Sequence, residues 1–462
     1  MKRILLTAVL SSVITQGFAT PINHPPGSTL TSGGLSNNQT ILSSVNNPAG
    51  SAVILQKENQ FGFGILSSVG IGIEIGAVDD IYNEVDSVAN NIQNNFADTI
   101  ANSTVSNVAL NIGGEISNIN DLLVKIEDKG YAKGFLSFHA PLMPLVISNK
   151  ALGGSLVFDA NATGGGHFTL LQDQIEFDAQ AAQQFINDAQ TTPPASAVQT
   201  FGDITIDVSN PADPQFNIAN DSTVVLKGSE IFEFSIGYSR EVVKRNGGSL
   251  FAGLRGKYFQ AKLLRDIQSV EALQDSQQAF DDISADNAEK SSDFGVDFGL
   301  IWVAEHYRFG ASAININGPT FKYNTVSAPN GYTNSRIINA INSNDSVKLD
   351  PQLKIEGALY SKSRNWVVGA TVDANAASDQ YNDKYQWANV STAYATDSWW
   401  IPGARVGYRK NLAGSKLSMA ELGFTFFKVL NIDGAYGLES VEYEGKKYPR
   451  TGYFNIGLEL TF

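Results

Sequence analysis

Residues 60–76 alternate in chemistry with a period of two. Phe61, Phe63, Ile65, Val69, Ile71, Ile73 and Ile75 take the odd positions, while Gly62, Gly64, Gly70, Gly72 and Glu74 fill even ones. A helix would repeat near 3.6, so this is a strand with one apolar face and one polar or empty face. The alternation returns in Phe294, Val296, Phe298, Leu300 and Trp302 against Asp293, Gly295, Asp297 and Gly299. It returns again in Trp366, Val368, Ala370 and Val372 against Asn365, Gly369, Thr371 and Asp373, and in Leu422, Phe424 and Phe426 against Glu421, Gly423 and Thr425.

Strands are expected near 60–76, 131–148, 152–171, 202–208, 214–227, 230–242, 249–263, 292–304, 307–317, 347–360, 364–374, 398–410, 416–428 and 450–462, about fourteen in all. An even number is what a closed antiparallel barrel needs. Short connections are expected near 149–151, 209–213, 243–248, 305–306, 361–363 and 411–415. Long ones fall at 77–130, 172–201, 264–291, 318–346, 375–397 and 429–449, with a turn near Gly228 and Ser229 as the exception to the rhythm. Short inner turns and long outer loops are the pattern of a transmembrane barrel. A soluble β-sandwich also alternates apolar and polar residues, but its strands have a mode near 5 or 6 residues and its loops have no reason to alternate in length.

The N-terminus reads as an export signal: Lys2 and Arg3 precede the apolar run Ile4 to Ile14, and Gly17-Phe18-Ala19 offers small residues for cleavage between Ala19 and Thr20. Beyond residue 19 no uninterrupted apolar run approaches the ~18 residues of a spanning helix. Strands must therefore do any crossing, and in a bilayer without water they can do so only as a closed ring in which every N–H and C=O is paired. The formal net charge is −14, or −16 once Lys2 and Arg3 are removed, which argues against nucleic acid as a partner. With no cysteine, the chain holds no disulfide, thiolate metal site or Cys-x-x-Cys pair. No metal site and no cofactor are expected.

The final strand ends Asn455-Ile456-Gly457-Leu458-Glu459-Leu460-Thr461-Phe462. Its polar residue, glycine, hydrophobe and terminal aromatic, at Asn455, Gly457, Leu460 and Phe462, resemble the C-terminal signal read by the barrel assembly machinery of the outer membrane. The chain is thus expected to be all-β, a closed antiparallel transmembrane β-barrel embedded in outer-membrane lipid.

Within the long first connection, Ile81, Val85, Val88, Ile92, Phe96 and Ile100 follow helical spacing after a cap at Asp79 or Asp80, and Ile116, Ile119, Leu123 and Ile126 continue it. These form a helical excursion in 77–130, its apolar face either packed on the barrel mouth or gathering lipid or ligand. A second helical insertion is expected over Asp173 to Ala189, in the third connection, before Thr191-Thr192-Pro193-Pro194.

No catalytic site is expected. Of the four histidines, His24 lies in the N-terminal tail, His306 in a short turn, and His139 and His167 on strands, without a Gly-x-Ser-x-Gly, His-Glu-x-x-His or His-x-Glu arrangement around them. On the polar faces, Arg255, Lys257, Lys348, Lys354, Arg405 and Arg409 stand against Glu233, Asp297, Asp350, Glu356, Asp373, Glu421 and Glu459. Neither sign dominates, and such charges either cross-brace a lumen or select an ion.

Asn47-Pro48-Ala49, before the first strand, resembles a motif of FadL-type long-chain fatty-acid transporters and their relatives. Followed by a long alternating strand, Val78-Asp79-Asp80-Ile81 and a helical stretch, it is similar to the barrel family labelled conjugal-transfer TraF proteins. Gly253 to Tyr258, Phe309-Gly310-Ala311 through Asn315, Leu349 to Leu353, and Trp366 with Asp373 fall in that family's order. The resemblance spans nearly the whole mature chain. It implies an N-terminal plug in 20–59, with Asn47, Pro48 and Ala49 in the hatch, ahead of a barrel spanning 60–462. By that resemblance the expected function is passage of small hydrophobic molecules across the outer membrane. The alternative is a structural or assembly role beside a conjugation or secretion apparatus, with envelope protein partners held by the outer loops.

Overall fold

The computed structural model describes residues 27–29, 31, 40–55, 60–79, 99, 102–192, 194, 196–270, 287–343, 345–395, 398–443 and 445–461. The export signal with its Ala19–Thr20 junction, the helical run after Asp79 through Ile100 and the terminal Phe462 lie outside these residues.

Its strands are β1 (Gln60–Ile75), β2 (Tyr131–His139), β3 (Leu145–Asn149), β4 (Gly154–Leu171), β5 (Val198–Phe201), β6 (Ile204–Asp207), β7 (Gln215–Ile218), β8 (Thr223–Arg245), β9 (Gly248–Ser269), β10 (Glu289–Val303), β11 (Tyr307–Ile314), β12 (Thr320–Lys322), β13 (Ser346–Lys348), β14 (Gln352–Tyr360), β15 (Trp366–Asp373), β16 (Ala377–Ser378), β17 (Lys384–Tyr385), β18 (Trp387–Tyr394), β19 (Gly403–Asn411), β20 (Ser418–Phe426), β21 (Leu430–Gly437), β22 (Ser440–Tyr443), β23 (Lys446–Pro449) and β24 (Thr451–Thr461). The helices are α1 (Ser43–Asn46), α2 (Gly50–Ile54), α3 (Val108–Lys129), α4 (Ala179–Thr191) and α5 (Ser335–Asn342).

Among the described residues, 15 strands form one antiparallel sheet that closes when the first strand, β1, pairs with the last, β24. β2 and β3 share one place in the ring, both lying between β1 and β4, so the wall is a closed barrel of 14 staves. Outward positions carry the large apolar side chains, among them Leu254, Phe294, Phe309, Leu359, Trp366, Val368, Leu422 and Phe454, all exposed. Inward positions carry glycine, hydroxyls and charges. This is the polarity a lipid-embedded barrel demands.

The expected number of staves is correct, but its composition is not. Residues 202–208 and 214–227 were expected in the wall; instead β5, β6 and β7 form a separate three-stranded sheet, and β8 runs unbroken through Gly228 and Ser229. Two staves lie in stretches expected to be loops: β18 in 375–397 and β21 in 429–449. The wall strand expected from residue 347 begins at Gln352, so Lys348 and Asp350 sit in the outer connection, Asp350 paired with Lys384 at 2.9 Å. The turn after β19, expected among the short inner ones, lies on the long-loop rim.

α3 and α4 build an outer cap. Val108, Ile112, Ile116, Ile119, Leu123 and Ile126 of α3 pack with Ala182 and Ile186 of α4, Ile204 and Ile206 of β6, and Phe168 and Leu170 at the rim of β4. The apolar face of this second helical run is thus covered by protein. α4 starts later than expected, capped by the Asp178 side chain on Ala181 N at 2.9 Å, while Asp173 accepts from Asp221 N at 2.8 Å.

Candidate functional site

The lumen is filled from the inner side by the N-terminal segment. Between Thr20 and Leu55 this segment has no Asp, Glu, Lys or Arg, so it enters a charged barrel without bringing charge of its own. Thr31 donates to Asp433 at 2.5 Å, and the Glu459 carboxylate accepts from the Thr40 hydroxyl at 2.8 Å and from Ile41 N at 2.7 Å. Further on, the Ser51 and Ser239 hydroxyls lie 2.6 Å apart and Ala52 N donates to Ser239 at 2.9 Å.

Asn47-Pro48-Ala49 sits where the wall has no side chains. Asn47 Oδ1 accepts from Ala49 N at 3.0 Å, and its amide reaches the Leu300 and Ala311 carbonyls at 3.5 and 3.4 Å. A Cβ on Gly299 would strike Asn47 Oδ1 and one on Gly253 the Pro48 carbonyl. In register, Ser155, Ser239, Gly253, Gly299 and Ser312 are successive neighbours around the ring, a band of small residues that lets the backbone of the hatch approach. Beside it, Ala49, Ala52 and Val53 pack on Phe251 and Ile301.

Most of the wall charges that flank the hatch are paired. Asp297 receives Arg255 at 2.6 Å and Lys257 at 2.9 Å, with Asn315 N at 2.8 Å completing its lone pairs; Arg255 also donates to Val45 O of the hatch at 2.5 Å. Arg405 pairs with Asp433 at 3.0 Å, and Arg409 with Glu421 at 2.7 Å. Sequence reading supplied Arg405, Arg409 and Glu421 but missed Asp433, which lay in an expected loop. Lys354 and Asp373 occupy facing positions on β14 and β15, Asp373 accepting from Gln352 at 3.1 Å and Trp387 N at 2.8 Å. Glu233 shares the lumenal face of β8 but forms no ion pair among the described residues. Buried pairs of this kind cross-brace the interior.

From the outer side the lumen is closed by its own connections. Residues 374–386 turn inward, burying Asp379, Gln380 and Tyr381. Lys133 holds Asp379 at 3.2 Å and also contacts Asp383, Tyr381 and Ser229 hydroxyls meet at 3.1 Å, and Tyr323 donates to Gln380 O at 2.6 Å. His167 lies 3.6 Å from Asp383. Burial pushes the Asp379 carboxyl up, whereas Asp383 is held below the ordinary carboxylate range because Lys133 and His167 outweigh its burial. His139 faces Asp159 at 3.4 Å deeper in the lumen.

The wall itself has a seam. β1 pairs with β2 from Val69 onward and with β3 up to Phe63, with Gly64 N reaching Pro144 O at 3.3 Å, and leaves Ile65 to Ser68 opposite the break Ala140 to Met143. Against β24, β1 slips register twice in the same stretch, between Gly64 and Leu66 and between Leu66 and Val69. The inward face changes from odd residues in β2 (Ser137, His139) to the even Val146 in β3. Ser67 and Ser68 bow into the lumen: a Cβ on Gly457 would strike Ser67 O, Asn455 donates to Ser68 at 2.7 Å, and the Ser67 hydroxyl donates to Met143 O at 2.7 Å. Pro141 and Pro144 have no N–H to leave unpaired in the gap. Asn455 and Gly457 therefore line the seam, while Leu460 faces outward in register with Phe63. On the lumen side, Ile41 and Leu55 of the hatch pack on Val146 and Val157, immediately past the break.

These features define a plugged transmembrane β-barrel of the outer-membrane kind. The chain belongs to the family described as F plasmid transfer operon, TraF, protein, whose model matches residues 44–373. Among solved structures it is similar to a deletion mutant of the TodX monoaromatic hydrocarbon channel, with 12% identity over 95% of this chain and 98% of that one at a TM-score of 0.41. It is similar also to a FadL homologue of Pseudomonas aeruginosa, with 10% identity over 97% and 99% of the two chains at a TM-score of 0.33. No curated protein matches the chain.

Proposed function

We propose that this barrel passes small hydrophobic molecules across the outer membrane, with the N-terminal hatch as gate and the seam as the way out of the lumen. The supporting observation is the coincidence of the two: the interruption of the β1–β2–β3 pairing is backed by Ile41 and Leu55 of the hatch. A hydrophobic solute gains by moving from water to lipid. A route straight through would take it past buried charges into water again, whereas a sideways step through the seam delivers it to the bilayer. Deleting Thr20 to Ala49 from the mature chain is expected to open a conductance in planar bilayers and to change uptake of a hydrophobic dye by vesicles carrying the barrel. No change in either contradicts the reading.

The separately cored cap favours a second reading, an assembly role in which the outer connections hold an envelope partner. Removal of residues 198–218 leaves all 14 staves in place. Loss of co-purifying envelope proteins with dye uptake intact would favour this role over transport.

A further inference from the structure

Five arginines are buried among the described residues: Arg255, Arg265, Arg308, Arg405 and Arg409. Four have a carboxylate: Asp297 at 2.6 Å, Asp345 at 3.7 Å, Asp433 at 3.0 Å and Glu421 at 2.7 Å, in that order. Arg308, 7% exposed, forms no ion pair among the described residues. Its guanidinium lies 5.3 Å from the centre of the Tyr360 ring, and Glu356, further from the mouth on the facing strand, forms no ion pair with it. The hatch cannot supply an anion, because residues 20–55 contain no acid.

Arg308 is the second residue of β11, just inside the short-turn rim, and points inward between the exposed Tyr307 and Phe309. Val303, its register partner, packs on the hatch cluster of Ala49, Ala52 and Val53. On its other side lies an apolar stretch of lumen wall, Ala358, Val367 and Ala393. A second guanidinium is brought to the same turn: Arg364 donates to Glu305 O at 3.2 Å. Two like charges near one another, one of them buried, call for an anion.

The charge of the two rims points the same way. Of the outer connections, 76–130, 172–222 and 270–288 hold many Asp and Glu but only Lys125 and Lys129 as bases, while acids and bases nearly balance in 315–351, 374–386, 412–417 and 438–450. Among the described residues, the short-turn rim carries Lys150, Arg240, Lys244, Arg245, Lys362, Arg364 and Lys428 against Glu241 and Glu305. An acidic protein with a basic inner mouth concentrates anions at that mouth.

The geometry points to an oxyanion-binding site in which Arg308, backed by Arg364, holds the carboxylate or phosphate group of a solute beside the hatch at the inner mouth. The planar fork of a guanidinium matches both groups. The site does not depend on what crosses the seam, so it stands or falls separately from hydrophobic transport.

The test is calorimetric titration of the folded mature barrel in a non-ionic detergent with inorganic phosphate, with acetate and with a short-chain phosphatidylglycerol. Saturable binding of phosphate or acetate identifies a free solute, and binding of the phosphatidylglycerol alone identifies a lipid headgroup; either supports the oxyanion site. In Arg308→Gln affinity is expected to fall at least about tenfold, while Lys447→Gln, exposed on the outer β22–β23 hairpin, leaves it unchanged. Should Arg308→Gln fail to fold, Arg308→Lys keeps the charge, loses the fork and is expected to bind several-fold more weakly. No saturable binding by the native barrel, or native affinity in the folded Arg308 variant, overturns the site.

Discussion

The barrel wall is built in two ways. From β4 to β10 the staves are 18, 23, 22 and 15 residues long, and their pairing is continuous apart from one slip near the β8–β9 turn. At β1 the pairing slips twice on one side and is broken on the other, where Gly64 N still reaches Pro144 O at 3.3 Å and Ile65 to Ser68 have no register partner. The hatch spans both, and it is held differently at each. Against the continuous wall it is clamped through polar contacts: Asn47 on β10 and β11 carbonyls, Ser51 on Ser239, Val45 O on Arg255. Behind the seam Ile41 and Leu55 rest on valines, and Glu459 of β24 accepts from the Thr40 hydroxyl and from Ile41 N. The contacts at the seam are fewer and gather on one carboxylate, Glu459, so the proposed gate requires the hatch to release that single group while the clamp on the continuous wall holds.

The largest effect is expected where the continuous wall carries its charges. Asp297→Asn leaves Arg255 and Lys257 buried without their carboxylate, a loss of about 3–5 kcal/mol, read as a fall in the thermal midpoint of the detergent-folded barrel. Gly299→Val drives a side chain into Asn47 and loosens the clamp by about 1–3 kcal/mol, so the conductance that hatch removal opens is expected in flickering form while the barrel stays folded. Arg308→Met removes a buried cation that has no acid to abandon, and its midpoint is expected to be unchanged or raised. Arg255→Met is expected to lower it. Equal losses for the two arginines would erase the distinction between paired and unpaired wall charges.

The smallest effect belongs to the inward-folded outer connection. Asp383 is held below its ordinary value by Lys133 and His167, so its contribution is present above the ordinary carboxylate range and is lost as pH falls through the depressed value. Asp379, pushed up by burial, works in the opposite sense. The exposed side of Asp383 keeps the effect small: Asp383→Asn is expected to lower stability by at most about 1 kcal/mol at neutral pH and by progressively less as pH falls below the ordinary carboxylate range. A larger loss at low pH than at neutral pH would reverse the assignment.

Much of the wall was legible because a lipid-facing strand shows strong contrast. β1, β10, β15 and β20 place aromatic and branched residues on one side and glycine or charge on the other. β18 lacks that contrast: Trp387 and Ala393 face inward while Thr392 faces outward. β21 contains Asp433-Gly434, a dipeptide that reads as a turn. Conversely, Ile204, Ile206 and Val208 alternate as a wall strand would but are buried against the cap, since half-burial leaves the same trace in soluble and membrane sheets. The seam had a signal in Pro141 and Pro144, which remove two ladder donors from one expected strand, and in Ser67-Ser68, which interrupts the apolar row of β1. Of the lumenal site, residue types such as Arg255, Asp297 and Asn47 were readable. Their partners were not, because pairing depends on register between strands far apart in the chain.

The central claim is that the seam is the exit. The chain has no cysteine, so Ser67→Cys with Met143→Cys places the only two thiols across the gap, where the Ser67 hydroxyl now meets the Met143 carbonyl. Uptake of a hydrophobic dye by vesicles carrying this variant should drop to the protein-free rate when the pair is oxidised and return when it is reduced. Equal uptake in the cross-linked and reduced states would contradict it.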